Sequence, residues 1–186
     1  MSETRQASVE TDIAQATGTV VSVNISERKT VRKPAGTEGE LIVDRGFAGD
    51  AHAGDWHRQV SLLAIESIDK MVEAGLDVGP GDFAENITTR GMDLISLPLG
   101  TTLRVGDALL EVSQIGKVCH TKCAIYYQAG DCVMPKEGIF AVVLEPGTVS
   151  VGDSVRVQAV GDGTCSREPS EHVVDTAETG GSGTEG

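Results

Sequence analysis

The chain has 186 residues, of which 39% are hydrophobic and only 3% aromatic, and a formal charge of −13. That length suits one domain, and so few rings mean a core of Val, Ile, Leu and Ala. The acidic balance argues against nucleic acid as the main partner, because phosphate binding needs a positive field. No apolar run is long enough for a membrane-spanning helix, so no membrane partner is expected.

Residues 1–17 are polar and unpatterned and read as a disordered tail. They hold no basic stretch followed by an apolar one, so a cytoplasmic location is expected. The folded body is expected over 18–160. Its apolar runs are mostly short and β-branched. "GTVVSVNI" (18–25), "GELIVD" (39–44) and "RQVSLLA" (58–64) predict three strands. "AIESIDKMVEAG" (64–75) predicts a helix over about 65–74, with Ile65, Ile68, Met71 and Val72 at helical spacing and Gly75 as its stop. "ENITT" (85–89) is a fourth strand. "TTLRVGDALLEVSQI" (101–115) predicts two strands joined at a Gly-Asp turn, with Val105 and Leu109 on either side. "GIFAVVLE" (138–145) and "SVRVQAV" (154–160) complete the set. "GTTLRVGDALLEV" and "GTVSVGDSVRVQ" share a V-G-D corner, a recurrent turn in β-proteins rather than a duplication. Residues 161–186 are acidic and rich in Gly, Ser and Thr, and read as a second disordered tail with few buried contacts. The spacing favours a mainly β barrel or sandwich, with one covering helix and short helical turns.

Three stretches carry polar chemistry. "GKVCHTKCAIYYQAGDCVMPKEG" (116–138) places Cys119, His120, Cys123 and Cys132 within fourteen positions, and only Cys165 lies elsewhere. In a cytoplasmic chain these read as thiols rather than disulfides. The spacing C-x3-C-x8-C lacks the two short-spaced pairs of a structural zinc site, so the case for zinc on Cys119, Cys123, Cys132 and His120 is weak. Lys117, Lys122 and Lys136 flank the cysteines, and a positive field favours the thiolate. Cys123, between Lys122 and Ala124, reads as the reactive thiol, and Cys132 and Cys165 as small buried hydrophobes. "GFAGDAHAGDWHRQVSL" (46–62) gathers His52, the single Trp56, His57 and Arg58 in a glycine-rich loop. There Arg58 can hold an anionic group, unless the glycines serve only turns in a solvated loop. "GPGDFAENITTRG" (79–91) offers Asn86 and Thr88 as neutral hydrogen-bonding groups, for a ligand or for a turn.

In this order, "GFAGDAHAGDWHRQVSLLAIES", "GDFAENITTRGMDLISLPLGTTLRVGDALLEVSQIG" and "CHTKCAIYYQAGDCVMPKEGIFAVVLEPGTVSVGD" resemble the MOSC domain, the module at the C-terminus of molybdenum cofactor sulfurases. The likeness is strongest to small stand-alone prokaryotic members and spans about 18–158. It implies a barrel-like, mainly β fold and one key cysteine that carries sulfur or ligates molybdenum, a soft-ligand role that thiolates suit. Cys123 matches that place best, with Cys119 one short step away. His57, Arg58, Asn86, Thr88 and Cys119 then become the candidate binders of a molybdenum-pterin cofactor. Larger relatives use that cofactor to reduce N-hydroxylated compounds. This chain has few arginines to grip a pterin phosphate and shows no counterpart of the extra N-terminal domain of those reductases. The resemblance therefore implies a reductase, a sulfur transferase, or a non-catalytic carrier serving molybdenum cofactor assembly or a molybdoenzyme partner.

Overall fold

The structure is a computed structural model that describes residues 11–29, 31–116 and 132–167. In chain order its elements are β1 (Thr17–Asn24), β2 (Ala35–Gly36), β3 (Glu38–Ile42), β4 (Gly46–Phe47), β5 (Val60–Ala64), α1 (Ile65–Glu73) and β6 (Ile87–Arg90). A 3-10 turn (Leu94–Ser96) follows, then β7 (Thr102–Val105), β8 (Ala108–Ile115), α2 (Met134–Glu137), β9 (Ile139–Glu145), β10 (Gly147–Ser150) and β11 (Ser154–Ala159). Seven strands close a barrel in the order β11-β7-β8-β9-β5-β6-β1, sealed by the β1–β11 pairing at Thr17↔Arg156 and Thr19↔Ser154. Closure leaves these strands no free edge. β2 extends from β1, and β10-β3-β4 form a small second sheet. Leu41, Phe47 and Val149 of that sheet are fully buried and join the barrel core.

The expected mainly β barrel with one covering helix is what the chain forms. Seven barrel strands coincide with predicted runs because each alternates an inward aliphatic with an outward residue. In β8, Leu110 and Val112 fill the core, so Glu111 and Ser113 face outward. β5 is buried along its whole length. Val60, Leu62 and Ala64 point into the barrel, and Leu63 packs outside it against Ile68, Phe83, Met134 and Phe140. That outer cluster is what α1 covers. β5 and β6 are parallel, with Leu62↔Ile87 and Ala64↔Thr89, and a parallel pair requires a crossover connection, here carrying α1.

Three details differ from expectation. Val72 is 47% exposed, because the last turn of α1, Val72 to Gly75, stands clear of the cluster. Gly75 does end the helix, in the left-handed region at φ 92°. The β7–β8 hairpin closes on Val105↔Ala108 rather than on Leu109, across the two-residue turn Gly106–Asp107. The two V-G-D corners have different roles, since the first closes that hairpin and the second links β10 to β11 in different sheets.

Ordered contacts also reach outside 18–160. Residues 11–14 make a helical turn, with Ile13 and Ala16 packed on the core. Residues 161–167 hydrogen-bond to Thr101, Leu99 and Glu111.

The packing predicts a sharp contrast. Leu62, 0% exposed inside the barrel, should cost about 2–5 kcal/mol as Leu62→Ala. Val72→Ala on the free turn should change stability by less than about 0.5 kcal/mol. Urea denaturation midpoints at constant m-value measure both.

Candidate functional site

The glycine-rich loop over 46–58 is held by one buried carboxylate. Asp50 accepts hydrogen bonds from Lys33 Nζ (2.7 Å), the His52 amide (2.9 Å), Asn86 Nδ2 (3.1 Å) and the Ser26 amide (3.2 Å). The Lys33 and Asp50 side chains are 1% and 2% exposed, so this is a buried ion pair. Burial alone would raise the Asp50 pKa, but the hydrogen bonds from His52 and Lys33 outweigh it and hold the carboxyl well below its usual range.

Asn86 belongs to the same network. Its Oδ1 accepts from the Ser61 amide and hydroxyl at 3.1 and 3.0 Å, and its Nδ2 donates to Asn24 O and Asp50. All four hydrogen-bonding positions of the amide are taken. Thr88, 0% exposed, donates to Glu85 Oε1 at 2.8 Å and accepts from Asn24 Nδ2 at 3.1 Å. Asn86 and Thr88, read as candidate cofactor binders, are thus internal groups that join β1, β5 and β6. Glu85 completes the network. It is fully buried, accepts from the Gly81 amide at 2.6 Å, and leaves Oε2 without a partner. Burial pushes its pKa up, against its hydrogen bonds from Gly81 and Thr88.

His57 and Arg58 face different surroundings. His57 is buried, and its Nε2 lies 2.9 Å from Gln114 Oε1. Gln114 Nε2 donates to Gly116 O at 2.6 Å, which orients the amide and makes His57 Nε2 the donor. The lone pair of the neutral ring then sits on Nδ1, which is buried and unpartnered. Burial lowers the His57 pKa, as does the Arg58 charge, while the Gln114 bond raises it, and the net direction is down. Arg58 lies over two rings, 4.8 Å from Trp56 and 5.6 Å from Phe140. Its Nε is buried without a hydrogen bond, and burial lowers its pKa. It is a cation seated on aromatic faces, a form suited to receiving an anion.

Cys119, His120 and Cys123 lie outside the described residues, and the flanks of their segment do not. Gly116 donates to Gly138 O at 2.7 Å, so the chain on either side of 117–131 lies close together. His57 meets the upstream flank through Gln114, and Arg58 meets the downstream flank through Phe140. Cys132 is buried in the outer cluster with Met134 and Phe140, and the Cys165 pKa is pushed up by burial and by Glu111. Among the described residues no three His, Cys, Asp or Glu side chains come together to hold a metal. A cavity of about 300 Å³ lies elsewhere, between α1 and residues 91–95, and none of the expected site residues lines it. Sequence reading did not single out Lys33, Asp50, Glu85 or Gln114. Glu85 and Asp50 sit inside the quoted motifs, but burial, the property that matters, carries no signal at a single polar position.

The fold is that of a small closed β-barrel, with a buried histidine and an arginine stacked on two rings beside its outer face. The MOSC domain family model matches residues 49–156, and the chain belongs to that family. The fold is similar to YuaD from Bacillus subtilis, with TM-score 0.66 and 20% identity over 77% of this chain and 96% of that one. It is similar also to YiiM from Escherichia coli, with TM-score 0.54 and 25% identity over 76% of this chain and 69% of that one. YiiM from Geobacillus stearothermophilus gives TM-score 0.56 and 19% identity over 75% and 74% of the two chains. A search of curated proteins found no significant match.

The two buried carboxyls make stability depend on pH in opposite directions. Asp50, lowered in the fold, adds stability above the ordinary aspartate range that is lost as pH falls below it. Glu85, raised in the fold, keeps its proton longer than in the unfolded chain, so stability falls as pH rises from the ordinary glutamate value through the raised one. Glu85→Gln should remove that fall and flatten the Tm profile above the ordinary glutamate value without moving the acid limb. Thermal melts across that range check it.

Proposed function

We propose that this MOSC protein handles molybdenum cofactor, or sulfur destined for it, through Cys123, with His57 and Arg58 serving the same site. The observation that carries the reading is the convergence on the two flanks of 117–131: His57 bonded to Gln114 on one side, Arg58 stacked on Phe140 on the other. His57 offers an unoccupied acceptor, Nδ1, able to take a proton from a thiol as the thiolate forms. The Arg58 charge favours a nearby anion, whether thiolate or phosphate, and its buried Nε has no hydrogen-bond partner.

These residues fit a molybdenum-pterin group. Cys123 would give molybdenum a soft ligand, and Cys119 is the neighbouring sulfur. Arg58 would hold an anionic end of the cofactor. When bound, the cofactor supplies two-electron redox chemistry, which in this family reading means reduction of N-hydroxylated compounds. Without a resident cofactor the same thiol carries sulfane sulfur to a cofactor-assembly or molybdoenzyme partner. Cys132 and Cys165 suit neither task, being buried or raised in pKa.

Single Cys→Ser variants of the full chain test this, scored by iodoacetamide rate at neutral pH and by bound molybdenum and persulfide. Cys123→Ser should lose the fast thiol and the cargo, while Cys132→Ser and Cys165→Ser keep both. Loss through Cys119→Ser alone moves the role to Cys119. Zinc that leaves only when Cys119, Cys123 and Cys132 are all replaced would make the segment a structural metal site and sink the proposal. Stoichiometric molybdenum marks the cofactor form, and persulfide without metal marks the carrier.

Arg58→Ala should weaken retention of the cofactor by about 1.5–3 kcal/mol, the range for a lost charged hydrogen bond. Equilibrium dialysis of the cofactor measures this, and unchanged binding removes Arg58 from the site.

A further inference from the structure

We infer that residues 161–167 are a strap that locks the Trp56–His57–Arg58 loop, with Arg167 as the positioning residue. The path of the strap is set by backbone contact. The Gly161 amide donates to Thr101 Oγ1 at 3.0 Å, and the Gly163 amide to Leu99 O at 3.1 Å. The approach is so close that a Cβ on Gly161 would lie 2.1 Å from Leu99 O, and one on Gly100 would lie 2.1 Å from Thr164 O. Only glycine fits at either place.

The strap then docks on the outer face of β8. Glu111 is 7% exposed there, and its carboxylate accepts the Ser166 amide at 2.9 Å and the Ser166 hydroxyl. A buried carboxylate left without such donors is costly, so the strap completes the barrel surface. Two residues along the same face, the Ser113 hydroxyl donates to His57 O. Strap and site loop therefore sit side by side on one strand. Arg167 joins them. Its guanidinium pairs with Asp55, the residue before Trp56, and with Asp44 at 2.5 Å, in the turn before β4. The two acids come from opposite ends of the glycine-rich stretch.

An isolated exposed ion pair contributes little, because two long side chains must be ordered to form it. Here the backbone that carries Arg167 is already anchored at Leu99, Thr101 and Glu111, so little further order is needed. The bridge brings one cation to two carboxylates in a strongly acidic chain. The loop it closes has three glycines and is held at its centre by Asp50, across its ends by the Gly54 amide on Arg45 O at 2.7 Å, and at its ring by Trp56 Nε1 donating to His52 O at 3.2 Å; Arg167 adds the side-chain tie between those ends. Arg167 thus fixes the aromatic seat of Arg58 from outside the barrel.

Trp56 is the only tryptophan in the chain, so its fluorescence reports on this loop directly. The test is acrylamide quenching of the full chain and of three variants. Arg167→Gln should raise the quenching constant of Trp56 about twofold, as local release of a loop exposes its ring. Arg167→Lys, which keeps the charge, should restore most of the protection. Arg104→Gln, which removes the exposed pair with Glu145, should match the wild type. About 0.5 M salt should move the wild type toward Arg167→Gln and leave that variant unchanged, because screening weakens exposed pairs. Equal quenching in wild type and Arg167→Gln would overturn the strap, as would the same rise in Arg104→Gln. A rise accompanied by loss of the cooperative thermal transition also counts against it, since that reports unfolding rather than release of one loop. The readout is the loop itself, so the outcome does not depend on which cargo the site handles.

Discussion

The Asp50 carboxylate is the point on which the ligand-side architecture hangs. Four donors from three stretches of chain converge on it: the Ser26 amide and Lys33 in the connection between β1 and β2, the His52 amide within the loop, and Asn86 just before β6. The charge therefore ties the loop to the ends of two barrel strands at once. Such a pair stabilises little relative to an apolar filling of the same volume. Removing one member, however, strands the other charge in the interior and costs roughly 3–5 kcal/mol. The arrangement therefore favours one geometry strongly over its neighbours. Asn86 passes the constraint onward, since its amide completes the junction between parallel β5 and β6 where regular pairing has not yet begun.

Much of the barrel was legible in the sequence, and the reason is periodicity. "TLRVGDALLEV" alternates apolar and polar residues around a glycine turn except at Leu109, a pattern that suits a hairpin with one buried face. β2 and β4 were not legible, because two residues carry no period. The surroundings of the glycine-rich loop were half legible. His57 and Arg58 announce themselves as rare residue types in a glycine-rich loop. Asn86 and Thr88 look the same in one dimension, yet their side chains are consumed by Asn24, Ser61, Asp50 and Glu85. A polar side chain near a motif can face a ligand or the interior, and only three-dimensional burial separates the two. Residues 161–167 escaped notice for a related reason. They are held by amides, a serine and an arginine, and none of these leaves an apolar pattern.

The division of labour follows from how a small barrel fills. Leu62, Ile87, Leu103, Leu110 and Ile139 are all 0% exposed and close the interior with hydrocarbon. A ligand-bearing group must then lie on the outer face or at a rim. The outer faces of β5, β8 and β9 carry polar and aromatic contacts here, because that is where loops fold back onto the sheet. Ser113 and Gln114 on β8 contact His57, and Phe140 on β9 supports Arg58. The strands supply rigid positions, and the loop supplies the histidine and the arginine.

His57 shows how tightly these layers are coupled. Its tautomer is set by Gln114, whose amide is set in turn by the carbonyl of Gly116, at φ 65°. A Cβ at Gly116 would stand 2.4 Å from Pro135 O, so the backbone there lies close against α2. The chain of dependence runs from a glycine at the mouth of the cysteine segment, through one amide, to the nitrogen on which a lone pair is left open. A shift of the backbone at Gly116 would turn the Gln114 amide and change which ring nitrogen of His57 accepts a proton. The orientation of the His57 ring is thus tied, through Gln114, to the backbone at Gly116.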